Sequence, residues 1–509
     1  MKLARTKNTV RNTMWGMIYR IITLIGPFIV KTLIVNKLGI EYSGLSSLFT
    51  SILTVLNLSN LGFSSSIVFT MYKAIADEDL ELQCAMIAFY RKVYKYVGLA
   101  ILALGLMVMP FLPHLVKGDV PPDINLYTLF AIYLFETTLD YFMFAYTSAI
   151  FTAYQRNDVT LKISTVRYAV QYLIQCIVLV VFRNYYLYII CLPLMVIPNN
   201  IANYIASRKL YPEIEPRGEL TEDVKKDIYN RVFTLFGHKV GNTVLVSIDS
   251  IIISSFLGLR IMGIYGNYYY ILTAVNALVE IVTNGAISGI GNKLITDTQE
   301  DNRKLFNALS YGWIALIGLC ASLMMNLYQP FIGGVWYSEE YLLSTGIVVL
   351  IVVYFYTWMA RIMQLTYRDA AGLWTKDWLK PYVAMILNIV GSIAMVKATN
   401  SVAGVLVPTI FIFIFIYVPW EAQVLFKYLF GDGYVKYLIT FAAYSALNLA
   451  VGIITYKLCE LLSPSLSFVS CVARGCVTVI VFSAVWWILT HKMEEYRRLI
   501  SYVTRFRRK

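Results

Sequence analysis

The chain has 509 residues, 58% of them hydrophobic and only 14% charged, with a mean hydropathy of +0.64. A soluble domain is about a quarter charged, so this composition excludes a soluble globular protein and requires one that lives in a bilayer. A net charge of +13 would suit a nucleic-acid partner, but its distribution along the chain argues for none and assigns it to loops held on one side of a membrane.

In chain order, apolar stretches near 13–36, 43–71, 94–116, 124–153, 163–182 and 185–206 are long enough to cross a hydrocarbon core of about 30 Å. A polar interval follows. Further spans are expected at 232–256, 265–290, 306–328, 341–366, 378–396, 402–426, 437–458 and 467–489. The expected fold class is therefore an all-α polytopic membrane protein of about fourteen helices. The first apolar run continues past Pro27 and Lys31, so it reads as a membrane span and not as a cleavable signal.

Charge tests this topology. With the N-terminus inside and spans alternating, thirty of the 43 Lys and Arg fall in inner segments. Five, Lys37, Lys117, Arg183, Arg260 and Lys397, fall in outer ones. A missed span would scramble that bias, so both termini are expected in the cytoplasm.

Internal repetition divides the chain. Leu38-Gly39-Ile40-Glu41-Tyr42-Ser43-Gly44 precedes Ile52-Leu53-Thr54-Val55-Leu56-Asn57. Leu257-Gly258-Leu259-Arg260-Ile261-Met262-Gly263 precedes Ile271-Leu272-Thr273-Ala274-Val275-Asn276, and seven positions match at a constant offset of 219. Two related halves follow, and in membrane carriers such halves place the substrate site between them. The expected organisation is an N-terminal lobe at 1–206, an amphipathic cytoplasmic linker at 207–231 capped by Thr221, and a C-terminal lobe at 232–428. An additional helix pair at 429–491 and a basic tail at 492–509 complete it, the tail lying on anionic headgroups.

Charges within spans are expensive and mark pathways or internal pairs. On the first span Arg20 and Lys31 lie eleven residues apart, hence on one helical face. In the fourth, Glu136 and Asp140 sit at i,i+4 near mid-membrane. They read either as a proton or cation site or as an ion pair with Arg167 of the next span. The seventh carries His238, Lys239, Asn242 and Asp249, and the offset of 219 aligns Lys239 with Arg20. In the eighth, Asn276, Glu280, Asn284 and Ser288 form a polar stripe, with Asn276 the repeat partner of Asn57. This stripe either lines a cavity or bonds helix to helix. Arg361 in the tenth span is a further cation of this kind. Seven cysteines without a CxxC pair and three histidines give no metal pattern. There is no GxxxxGK[ST], GxGxxG, accessible DxD or HExxH motif, so no cofactor, nucleotide hydrolysis or catalytic centre is expected.

Three stretches carry a family likeness: Arg11-Asn12-Thr13-Met14-Trp15-Gly16, Leu38 to Leu45, and Leu56-Asn57-Leu58-Ser59-Asn60-Leu61-Gly62-Phe63-Ser64-Ser65-Ser66. They resemble the polysaccharide-exporter branch of the multidrug/oligosaccharidyl-lipid/polysaccharide (MOP) flippase superfamily, the O-antigen and capsule repeat-unit translocases. The resemblance implies two pseudo-symmetric lobes around a central cavity that opens to alternate sides. It implies a multi-pass protein of a bacterial plasma membrane and an undecaprenyl-type lipid-linked oligosaccharide as substrate. Membrane lipids, and the polymerase and glycosyltransferases of the same pathway, would be its partners. In related lipid II flippases, arginines on the first helix of each lobe meet a pyrophosphate; Arg20 and Lys239 would fill that role here, although Lys lacks the bidentate fork of Arg. Two rivals stand beside this reading. A cation-coupled drug antiporter would use Glu136, Asp140, Asp249 and Glu280, and a membrane-embedded glycan polymerase is disfavoured by short outer loops.

Overall fold

The structure, a computed structural model, describes residues 5–57, 63–118, 120–463 and 465–507. Among the described residues each of the fourteen expected spans falls largely on helix, the one at 43–71 on two, Ile40–Leu56 and Phe63–Ala76. Among the described residues eleven helices are long and apolar enough to cross a membrane, and Ile40–Leu56 and Ser66–Ala76 are apolar but shorter. The chain separates into two compact units, Met1–Gly263 and Ile264–Lys509.

The first unit holds α1 (Arg5–Lys37), α2 (Ile40–Leu56), α3 (Phe63–Ala76), α4 (Leu80–Val108), α5 (Leu126–Phe142), α6 (Thr147–Ala153), α7 (Asn157–Val181), α8 (Tyr185–Leu210) and α9 (Glu222–Leu257). Besides the divided 43–71 span, two expectations change here. The 124–153 span is two helices, because Met143 leaves helical geometry. Tertiary contacts hold that corner: Phe144 stacks on Tyr204 at 4.2 Å, and the Arg91 guanidinium lies 6.0 Å from the Tyr146 ring. The linker is not a separate surface helix either. No proline interrupts Glu222–Leu257, so the linker runs straight into the seventh span as one 36-residue helix, about 54 Å long at 1.5 Å per residue. Thr221 stands at its N-cap with Glu222 and Asp223 in the first turn, but its hydroxyl makes no capping bond.

Lipid tails are as apolar as leucine, so helix association in a bilayer relies on close packing at small residues. Gly26 of α1 receives the Tyr172 ring of α7, and Gly98 of α4 receives Tyr141 of α5. Phe49 meets the Phe130 and Tyr133 rings edge-on at 5.4 and 5.7 Å to build the centre of the unit.

The two copies of the repeat meet within this unit. α10 (Leu259–Thr296) starts at its end, and α2 and α10 begin after repeat-related glycines, Gly39 (φ +128°) and Gly258 (φ +94°). A side chain at Gly44 would strike the Leu259 carbonyl, and one at Gly263 would strike the Ile40 carbonyl. Ile40 and Leu259 are themselves 219 apart, so the contact is reciprocal, as an isologous interface requires. Glu41 and Arg260, also repeat partners, face each other at 3.7 Å. The segment after α4 fastens the end of α9, with the Lys117 ammonium donating to the Phe256 carbonyl at 2.6 Å and Ser254 Oγ to the Leu115 carbonyl at 2.9 Å.

The second unit is arranged around α11 (Gln299–Phe331). Beside it are α12 (Thr345–Ala360), α13 (Ile362–Ala370), α14 (Lys380–Thr399), α15 (Ala403–Ile412), α16 (Val418–Leu425), α17 (Tyr434–Leu462), α18 (Phe468–Thr490) and α19 (Glu494–Arg507). The last membrane pair, α17 and α18, packs on α11. Asn448 of α17 sits on Gly318, and the Asn326 amide donates to Thr478 of α18 at 2.8 Å. The basic tail is helical, and it lays Leu499 on Gly312 of α11 while leaving Ile500 exposed.

Candidate functional site

The first functional geometry starts at the N-terminal motif. Arg11 pairs with Asp158 at 2.6 Å. The Asn12 side chain accepts from the Asp158 amide at 2.6 Å and donates to the Gln155 carbonyl at 3.2 Å. The Lys162 ammonium lies 5.8 Å from the Trp15 ring centre, and Gly16 faces Leu161. So Arg11-Asn12-x-x-Trp15-Gly16 seats α1 on the first turns of α7. Asp158 suits a helix N-terminus. It also accepts from Arg156 at 2.9 Å, a bond that pushes that guanidinium further above its usual range.

Beyond this seat α1, α7 and α8 enclose a groove of about 630 Å³. Arg11, Trp15, Asp158, Lys162, Arg167 and Asn199 supply its polar wall, with Asp158 paired to Arg11, and the remainder is Val, Ile, Met, Pro and Ala. Sequence reasoning placed Arg11 and Lys162 among loop charges and passed over Asn199. A stripe at 159, 162, 163, 166, 167 and 170, one face at helical spacing, was the available signal.

Arg167 links this groove to the carboxylates of α5. Its guanidinium is 4.0 Å from Glu136 and 4.7 Å from the Tyr168 ring centre. Asp140 accepts from the Asn200 amide at 2.6 Å. Both mid-span carboxylates therefore have internal partners.

Arg20 is half-buried on α1, and Lys239 is half-buried on α9. Neither has a carboxylate within ion-pair distance among the described residues. Lys31 is half-buried on the same helix as Arg20. The repeat-related asparagines differ: Asn57 accepts from the Tyr141 hydroxyl, whereas Asn276 is buried with neither amide atom bonded among the described residues. Asp249 is buried and Glu280 exposed. His238, Asn242, Asn284 and Ser288 lie on helix, and their side chains fall outside the described residues.

Arg361 belongs to a different arrangement, wholly in the second unit. It donates to Glu421 at 2.7 Å. Lys380 donates to Glu421 and Asp377, each at 2.7 Å. Arg368 reaches Asp377 at 3.0 Å and Asp369 at 2.8 Å. Arg361 is 3% exposed, and Lys380, Glu421 and Asp377 are 1% exposed each. A π-helical turn, Phe413–Tyr417, brings both of its end rings to Arg361, at 5.1 and 4.4 Å. None of these partners was singled out from sequence, because Lys380 and Arg368 read as loop charges. The charges of this cluster are buried and ion-paired with one another, although Arg361 Nε and Glu421 Oε2 make no hydrogen bond among the described residues; with its side chains sealed from solvent it offers a ligand nothing without rearrangement.

The comparisons agree with this architecture. Among solved structures the chain is similar to the lipid II flippase MurJ in an inward closed conformation, with a TM-score of 0.65, 14% identity, and coverage of 96% of this chain and 100% of that one. It is similar to an inward-facing multidrug resistance MATE family transporter of the MOP superfamily, with a TM-score of 0.61, 11% identity and coverage of 86% and 99%. A MOP superfamily transporter from Pyrococcus furiosus matches at a TM-score of 0.52 and 11% identity, over 82% and 95%. No curated protein matches the sequence significantly. The fold is thus that of the MATE and MurJ transporters. The family model for polysaccharide biosynthesis proteins matches residues 9–287, over half of the chain, from the helix seat on α7 through both copies of the repeat, and the chain belongs to that family.

Proposed function

We propose that the protein is a flippase, not an enzyme, which moves a lipid-pyrophosphate-linked oligosaccharide across a bacterial plasma membrane by alternating access. Both termini are cytoplasmic in this reading, and an undecaprenyl-type carrier bears the glycan. The substrate cannot cross unaided, since its charge and hydroxyls both resist hydrocarbon. Polymerase and glycosyltransferases of the same pathway would act on either side of the step.

One observation carries the reading. Of the α5 carboxylates, Asp140 accepts from Asn200 and Glu136 stands 4.0 Å from Arg167, while the span cations Arg20 and Lys239 have no carboxylate partner among the described residues. An excess of unanswered cations suits an anionic substrate. A drug or organic-cation antiporter needs the opposite balance, and it is the second reading because the MATE transporters share the fold.

The test is flipping of a lipid-pyrophosphate oligosaccharide in proteoliposomes by intact protein, Arg20→Ala and Lys239→Ala at equal folding. A charge-assisted hydrogen bond is worth about 1.5–3 kcal/mol, so each variant should lose roughly tenfold or more. Unimpaired flipping by both variants removes the phosphate role of these cations. No flipping by intact protein, with cation-driven dye efflux, selects the antiporter.

A further inference from the structure

The groove between α1, α7 and α8 holds more positive charge than its own residues can satisfy. Arg11 is committed to Asp158. Lys162 and Arg167 are not equivalently committed. Lys162 has only the Trp15 ring, with no carboxylate within ion-pair distance among the described residues. Arg167 meets Glu136 only at 4.0 Å, and its buried Nε has no hydrogen-bond partner among the described residues. Across the groove, Asn199 Oδ1 is buried and equally without a donor. Buried polar atoms are rarely left unmet in folded proteins, and these two belong to residues that line one groove, within reach of a ligand's polar atoms.

The placement says what kind. α1, α7 and α8 are all membrane spans by length and hydropathy. α7 starts at Asn157, so Lys162 lies about 7.5 Å and Arg167 about 15 Å along it. A ligand here needs an anionic group for Lys162 and Arg167 and a hydrogen-bond donor for Asn199 Oδ1, which a headgroup hydroxyl supplies. It also needs hydrocarbon to lie along Val166, Val170 and Met195. A volume of about 630 Å³ lies within the usual range for a small-molecule site, roughly 300–1,000 Å³.

We propose that this groove binds an anionic glycerophospholipid with a hydroxylated headgroup, of the phosphatidylglycerol class, from the leaflet at the α7 N-terminus. The phosphate sits between Lys162 and Arg167, a glycerol hydroxyl donates to Asn199, and the acyl chains follow the apolar wall. Neither Arg20 nor Lys239 lines this groove, and the proposal does not depend on the flippase reading.

Native mass spectrometry of the full chain in detergent tests it, with dioleoyl phosphatidylglycerol, dioleoyl glycerol and undecaprenyl phosphate as probes. Intact protein should bind phosphatidylglycerol at least tenfold more tightly than dioleoyl glycerol, which shares its chains and lacks the phosphate. Lys162→Gln should lose about tenfold for phosphatidylglycerol. Ala202→Trp, which fills the groove without changing charge, should lose binding as well. A third variant, Asn199→Leu, should narrow the preference for phosphatidylglycerol over phosphatidic acid of the same chains. All are compared at equal melting midpoints without lipid, and any that fails to reach the intact midpoint is replaced by Val166→Phe, which narrows the same groove. Equal phosphatidylglycerol binding by intact protein, Lys162→Gln and the groove-filling variant overturns the site. A tenfold preference for undecaprenyl phosphate over phosphatidylglycerol overturns the phospholipid assignment.

Discussion

The ion network of the second unit and the groove of the first use the same residue types to opposite ends. In the network, Glu421 accepts from both Arg361 and Lys380 at 2.7 Å, and Asp377 lies between Arg368 and Lys380. In the groove, Lys162 rests on an aromatic ring and Arg167 stands at the edge of ion-pair distance from Glu136. Charges compensated inside dry protein hold structure. Charges left unsaturated beside an open groove are available to a ligand. The two sites therefore respond differently to removal of a single charge.

The largest effect is expected in the network. Glu421→Leu strands Arg361 and leaves Lys380 with Asp377 alone, and breaking a buried pair from one side costs about 3–5 kcal/mol. The midpoint of thermal unfolding in detergent should fall sharply, with loss of folded yield. A Glu421→Leu protein that melts like the intact chain would show that water reaches this cluster, and the contrast with the groove would vanish.

Next in size is the reciprocal glycine crossing. Gly44→Val drives a branched side chain into the Leu259 carbonyl, and Gly263→Val does the same at Ile40. Overpacking costs typically 1–3 kcal/mol, and backbone cannot move aside as a flexible side chain can. Residues sharing one contact are not additive, so the double variant should destabilise less than the sum of the two. Additive losses in melting midpoint would mean that the two glycines act at independent contacts.

How these regions read from sequence follows the same physics. The offset of 219 exposed Gly44 and Gly263 as a pair, and the structure brings the pair into contact. Span positions were legible because hydropathy is a sum over twenty residues and tolerates local error. The breaks were not: Met143 leaves the helix without a proline or glycine to announce it, because the aromatic contacts of Phe144 and Tyr146 decide the corner. The Arg167–Glu136 link was open to inference, since both stand mid-span on neighbouring helices. Glu421 was not, because its partners Arg361 and Lys380 come from helices 60 and 41 residues away. Arg11 and Lys162 read as loop charges, whereas both stand on helix, α1 and α7, and a charge count says nothing of the groove between them.

A smaller effect separates the outer face of the first unit from both sites. Glu41 and Arg260 are partly exposed at 3.7 Å, and pairs of this kind contribute about 0.2–1 kcal/mol. A double-mutant cycle with Glu41→Gln and Arg260→Gln should return a coupling in that range that fades in high salt. A coupling of several kcal/mol would place this pair with the sealed network.

The smallest effect is expected where ligand binding is proposed. Lys162 has no carboxylate partner among the described residues, and Gln is about as good a helix former as Lys. Lys162→Gln removes a contact with Trp15 and little else from the protein itself. Substitutions away from caps, cores and ion networks usually stay within about 0.5 kcal/mol, so its melting midpoint without lipid should match that of the intact chain. The same measurement repeated with added phosphatidylglycerol should separate them, because a ligand that binds only the folded state raises stability by mass action. The intact protein should gain and the variant should gain less. If Lys162→Gln instead melted as early as Glu421→Leu without lipid, the groove cation would be as structural as the network.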